Sequence, residues 1–155
     1  MDEELFNSIK DNALGWEFDW FAFDKKGQIG MFTTFYGCIV PSQVWESYEN
    51  YGNTLNYFIG LQPELTPEQI LDSIPGQTND WKEYAKTGLF AHNYESTDYG
   101  ATKDYYELKV KPEKPLLKAD LKLEKQYIEA MPVLDVEFGV DTQINSKGIE
   151  KLLIT

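Results

Sequence analysis

Glu17 and Asp19, two carboxylates two residues apart, are the closest this chain comes to an acid–base pair. On an extended strand, residues i and i+2 share a face, so one carboxyl can hold a proton while its neighbour accepts one. Nothing nearby completes a catalytic set. The single histidine, His92, stands in Leu89-Phe-Ala-His92-Asn, and no serine occupies a Gly-x-Ser-x-Gly elbow that would present a nucleophile to it. A metal site on His92 would have to borrow Glu95 or Asp98, and no multi-cysteine or multi-histidine spacing supports one. Asp24-Lys-Lys-Gly27 lacks the alternating acidic ligands of a calcium loop. Gly27-Gln-Ile-Gly30 has no helix opening behind it to cradle a phosphate. Cys38, in Tyr36-Gly-Cys-Ile-Val40, reads as a small buried hydrophobe. The expectation is a protein that is not an enzyme and uses no metal or cofactor.

Charge points towards binding instead. Of the 155 residues, 26 are acidic and 14 are lysine, with no arginine, giving a net charge of −12. Residues 1–102 hold 16 Asp/Glu against 5 Lys, whereas residues 103–155 hold 10 against 9. Such a chain lacks the clustered cations that grip a phosphate backbone, so nucleic acid is not an expected partner. An acidic front suits a basic protein, which it would steer electrostatically, as well as keeping the chain soluble. The carboxylate candidates for such contact are Glu17, Asp19, Asp24, Glu46, Glu49, Glu95 and Asp98. Tyr48, Tyr94 and Tyr99 join them as tyrosines expected at the surface. The N-terminus is acidic where a signal peptide would be basic, and no apolar run nears the roughly 18 residues of a membrane span. A cytoplasmic protein without membrane contact is expected.

The elements that must position these residues begin with a hairpin. Residues 16–23 and 28–34 read as two strands flanking the turn Asp24-Lys-Lys-Gly27. Trp16, Phe18, Trp20 and Ala22 face one way, Glu17, Asp19, Phe21 and Phe23 the other, so the second face starts acidic and ends aromatic. That pattern predicts a strand covered on both sides towards its C-terminal end.

A helix over residues 2–14 is predicted with Leu5, Ile9 and Leu14 on one side. Another is predicted over 42–59, where Val44, Tyr48, Tyr51, Leu55 and Phe58 form one apolar stripe. Thr66-Pro-Glu-Gln69 has the residues of a capping box and starts a short helix towards Ile74. Residues 80–87 read as a helix stopped by Gly88, and 120–131 as one stopped by Pro132. Strands are predicted at 89–92, at 105–111 with Tyr106, Leu108 and Val110 on one face, and at 133–138 with Leu134, Val136 and Phe138 inward. Residues 93–102 read as a loop, and 149–154 as a last strand or short helix. The sum is one α+β domain, residues 1–155, with a mostly antiparallel sheet of about five strands and helices packed on it.

The hairpin resembles a signature of small uncharacterised bacterial proteins, Trp-x-Trp-Phe-Ala-x-Asp-x-x-Gly-x-Ile-Gly-x-Phe-x-Thr followed by a Gly-rich turn and Val-Pro. The matching residues run from Asp19-Trp20-Phe21-Ala22 through Asp24, Gly27, Ile29-Gly30, Phe32 and Thr33 to Gly37 and Val40-Pro41. Phe18 stands where the pattern has its first tryptophan, and the arginines of the pattern are lacking. Gly88-Leu89-Phe90 and the stretch from Tyr105 to Leu116 follow the same order of elements, so the similarity spans residues 16 to about 138. These proteins resemble the immunity proteins of bacterial polymorphic-toxin systems. The resemblance implies a small cytosolic protein that neutralises a toxin domain, often a basic nuclease, by direct binding, and it carries no catalytic motif. The alternative is a small-molecule or carbohydrate-binding or hydrolytic domain, using exposed aromatics with Glu17 and Asp19 as its carboxylates.

Overall fold

One mixed sheet divides the apolar residues of this chain into two layers. The computed structural model describes residues 1–11, 17–35, 38–74, 79–95 and 104–155. Strands β1 (Asp19–Asp24) and β2 (Ile29–Thr33) form the expected hairpin, in register from Asp19 opposite Thr33 to Phe23 opposite Ile29. Gly27 takes φ +79° in its turn, a left-handed conformation that suits glycine. The alternation holds: Phe18, Trp20 and Ala22 join one apolar cluster, Phe21 and Phe23 the other, while Trp16 lies outside the described residues. Both layers are closed over the C-terminal half of β1, which is why its last five residues are all buried.

The remaining strands are β3 (Ile70–Asp72), β4 (Phe90–Glu95), β5 (Tyr105–Pro112), β6 (Val133–Leu134) and β7 (Gln143–Asn145). The spatial order is β3-β5-β4-β2-β1-β6, with β7 also on β5. The α+β expectation stands, but the sheet has seven strands among the described residues and is mixed. β2–β4 and β1–β6 run parallel, because long crossovers carrying helices separate these partners in sequence. The segment 133–138 gives only a two-residue strand, although Leu134, Val136 and Phe138 do all point inward.

A bulge changes the reading of β5. Ala91 pairs with Val110 and His92 with Leu108, leaving Lys109 as the extra residue. Val110 thereby crosses to the layer of Phe21 and Phe23, while Tyr106 and Leu108 stay in the layer of Trp20.

The helices are α1 (Glu3–Asp11), α2 (Tyr48–Ile59), α3 (Asn79–Lys86) and α4 (Lys125–Ala130). In α1 the buried pair is Phe6 and Ile9, with Leu5 packed beside them; Leu14 lies outside the described residues. The helix read over 42–59 divides: Ser42–Trp45 is a 3₁₀ turn, and Ser47 caps α2 by accepting from the Asn50 amide at 3.2 Å. The helix read at Thr66 ends after one 3₁₀ turn. Its capping contact forms, Gln69 Oε1 accepting from the Thr66 amide at 3.0 Å, but Ile70–Asp72 then pair with β5 and the sheet edge overrides the helix start. In the C-terminal region only Lys125–Ala130 is α-helical, and 149–152 closes as a 3₁₀ turn. No helix among the described residues is long and apolar enough to cross a membrane.

Candidate functional site

The face of the sheet that carries Phe21 and Phe23 is apolar at one end and polar at the other. Register puts Asp19, Thr33 and Asn93 side by side across β1, β2 and β4. Above this row the C-terminal end of α2 and the outer side of α3 stand apart, leaving a cleft of about 820 Å³. Phe58, Ile59, Leu61 and Pro63 form one wall. Asp80, Trp81, Glu83, Tyr84 and Thr87 form the other, and Glu17, just before β1, also lines the cleft. Among the described residues four carboxylates thus line the cleft and no lysine does, although Glu83 is paired with Lys86 at 2.7 Å.

Asp19 is the fixed point of this arrangement. Its Oδ1 accepts from the Thr33 hydroxyl at 2.8 Å and its Oδ2 from the Tyr84 hydroxyl at 2.7 Å. Its backbone carbonyl accepts from the Tyr51 hydroxyl at 2.8 Å, which ties α2 to the start of β1. Burial pushes the Asp19 carboxyl above its ordinary range, against the lowering effect of the Tyr84 and Thr33 hydrogen bonds, and nearby Asp80 adds to the rise. Burial and the Asp19 charge together push the Tyr84 and Tyr51 hydroxyls far up, so both remain neutral donors. A desolvated carboxylate held by neutral donors, facing open volume, favours a cationic group that would complete its neutralisation.

Beside the cleft the bulged Lys109 bridges Glu95 at 2.5 Å and Glu107 at 2.9 Å, with its ammonium 5.9 Å from the centre of the Trp81 ring. Burial alone would lower the Lys109 pKa, but hydrogen bonds to Glu95 and Glu107 hold it above its ordinary value. Glu95 is therefore already matched to a cation.

Of the contact candidates read from sequence, the cleft brings together, among the described residues, only Glu17 and Asp19. Asp24 is no surface contact: its carboxylate is buried, with Oδ1 accepting from the Lys26 and Gln28 amides and Oδ2 from Gln28 Nε2 and the Phe138 amide. Tyr94 is likewise buried, its hydroxyl donating to Asp104 at 2.6 Å, because β4 continues to Glu95 where a loop was expected. Glu46, Tyr48 and Glu49 cluster at the opposite end of α2. There Tyr48 donates to the Met1 carbonyl and Glu49 accepts from the Tyr127 hydroxyl. Asp98 and Tyr99 lie outside the described residues.

Asp80, Glu83, Tyr84 and Thr87 had no place in the sequence reading as site residues. Their signal was a polar stripe at i, i+3, i+4 and i+7 running along α3 into the turn after it, opposite the buried Ala85. His92 lies inside the core, stacked on Phe32 at 4.5 Å, with Nδ1 against the Met31 carbonyl at 3.2 Å and Nε2 buried without a partner. Burial pushes the Cys38 thiol up, away from thiolate chemistry. No group of three or more potential metal ligands occurs among the described residues. No family model matches the chain, and no curated protein or solved structure matches it either.

Proposed function

We propose that this is a non-catalytic binding protein of the immunity type, which neutralises a cognate bacterial toxin in the cytoplasm by direct contact through its acidic face. The observation that carries the reading is the cleft: Glu17, Asp19 and Asp80 line one opening together with Glu83, itself paired with Lys86, and among the described residues no lysine lines it. The resemblance of the hairpin to immunity proteins and the excess of acidic residues in the first two-thirds of the chain support the same role. A basic toxin surface would be drawn in by charge and held where that charge meets the apolar wall of Phe58 and Ile59. The test begins with the DNA flanking the gene. A neighbouring gene ending in a small toxin-like domain is co-expressed with this chain; restored growth and a direct complex support the role. Failure of the chain to bind or protect against that domain removes it.

The same cleft favours a second reading, a small-molecule or carbohydrate site, because its volume suits a ligand of drug size and it contains Trp81 beside Asp19. A sugar and metabolite screen followed by thermal unfolding checks this. A shift abolished by Asp19→Asn would favour it, and an unresponsive melting curve across the screen would count against it.

A further inference from the structure

We infer that the cleft between the end of α2 and α3 is the receptor for an arginine side chain presented by a protein partner, with Asp19 as the group that receives its guanidinium. The inference rests on the binding role proposed above and names the chemistry of that contact. Each Asp19 oxygen accepts one hydrogen bond from inside the protein, Thr33 on Oδ1 and Tyr84 on Oδ2. A carboxylate oxygen has room for about two, so each keeps one acceptor position that no described residue fills, on a residue that lines the cleft. Two open positions on a carboxylate match the paired N–H groups of a guanidinium, whereas an ammonium is a point charge that does not fill both in plane.

The rest of the cleft fits the remainder of that side chain. Ile59, 61% exposed in the cleft lining, offers apolar surface to the methylene stem. Asp80 and Glu17, both exposed, add negative charge to the lining, so the cation is attracted before it is desolvated. Arginine is also more weakly hydrated than lysine, which lowers the cost of bringing it against a half-buried carboxylate. The chain itself contains no arginine, so the cation must come from another molecule.

The experiment titrates the full chain against a fluorescein-labelled Gly/Ser peptide carrying arginine, and against its lysine and citrulline counterparts, by fluorescence anisotropy. The arginine peptide should bind tightest, the lysine peptide several-fold more weakly, and the citrulline peptide not at all. Asp19→Asn should weaken arginine binding about tenfold or more. Asp80→Asn, an exposed change that leaves the internal bonds of Asp19 intact, should weaken it by about threefold to fivefold. Asp135→Asn and Glu113→Gln, exposed carboxylates elsewhere, remove the same charge and should have less than about a twofold effect.

Equal affinity for all three peptides, no binding of any, or equal losses from all four substitutions would overturn the inference. Two further outcomes separate it from the immunity role. Arginine binding lost in Asp19→Asn, in a chain that protects against no neighbouring toxin, keeps the receptor and removes the role. Full protection by Asp19→Asn and Asp80→Asn chains keeps the role and removes the receptor.

Discussion

Strand β1 begins and ends on an aspartate, and the two have opposite tasks. Asp24, at the C-terminal end, accepts four hydrogen bonds at 2.7–2.9 Å, three of them from backbone amides, and no part of it faces solvent volume. It joins the hairpin turn to Phe138, a residue more than a hundred positions away. Asp19, at the N-terminal end, accepts two, both from side-chain hydroxyls, and looks into a cleft. A carboxylate whose acceptor positions are all taken is structure. One with open positions beside a cleft is, on the reading proposed above, a binding group, and its desolvation is a cost to the folded state that a bound cation would offset.

The sharpest way to break this contrast is Asp24→Ala. It removes the acceptor of the buried Phe138 amide and of the part-buried Lys26 and Gln28 donors, and an expected loss of about 4 kcal/mol follows from four hydrogen bonds to a charged group lost together. Urea unfolding measures it. A loss below about 1 kcal/mol would mean that water replaces the carboxylate and that Asp24 is no clamp.

Next in size is the acid response of His92, a buried group with one polar atom unsatisfied where Asp24 has none. Burial lowers its pKa to about 4 against the Met31 and Phe90 backbone hydrogen bonds, from an ordinary value of 6.5. The neutral ring is therefore the folded form. Above pH 6.5 its contribution is complete; between there and about 4 the unfolded chain takes up a proton that the folded chain refuses, and about 3 kcal/mol is lost. Urea midpoints at pH 7 and pH 4.5 should diverge in the parent and move closer together in His92→Leu. Identical slopes in both proteins would place the acid sensitivity among the carboxylates.

These two residues also mark what could be read in the chain and what could not. The hairpin was legible, because strict alternation from Phe18 to Phe23 assigns faces without any knowledge of partners. Tyr106 and Leu108 were placed by the same rule. Val110 was not, since the bulge at Lys109 is decided by β4 and by the ion pairs of Lys109 with Glu95 and Glu107. The parallel neighbours of β1 and β2 depend on crossovers that no local pattern announces. At the site, Glu17 and Asp19 were legible as a same-face pair. Asp24 read as equivalent to them because its four donors come from tertiary structure. The α3 half of the cleft was hidden for the same reason: an acidic helix face is ordinary until register sets it over Asp19.

Tyr84→Phe sharpens the Asp19 side of the comparison. It removes one of the two donors that hold the carboxylate and should cost about 1 kcal/mol, since Asp19 Oδ2 turns to the cleft water for its replacement bond. If the carboxylate is positioned by Tyr84, affinity for a cationic partner should fall with the extra freedom of Asp19, even though no charge has changed.

Asp19→Asn is expected to have the smallest effect on stability and the most informative sign. An amide keeps one acceptor for Thr33 or Tyr84 and can donate to the other hydroxyl, so the local bonds can re-form. What disappears is a charge whose pKa burial has raised. With the folded value above the unfolded one, the folded chain binds the extra proton, and stability falls as pH rises through that window. At neutral pH the ionised carboxylate is thus a burden on the fold, and its replacement should be neutral or stabilising by less than about 1 kcal/mol. The same Asp→Asn exchange at residue 24 should destabilise, because an amide cannot accept four hydrogen bonds. Opposite signs at the two ends of one strand would separate a carboxylate kept for folding from one kept for binding. Comparable losses at both would make Asp19 a second clamp, and the cleft above it a gap between helices.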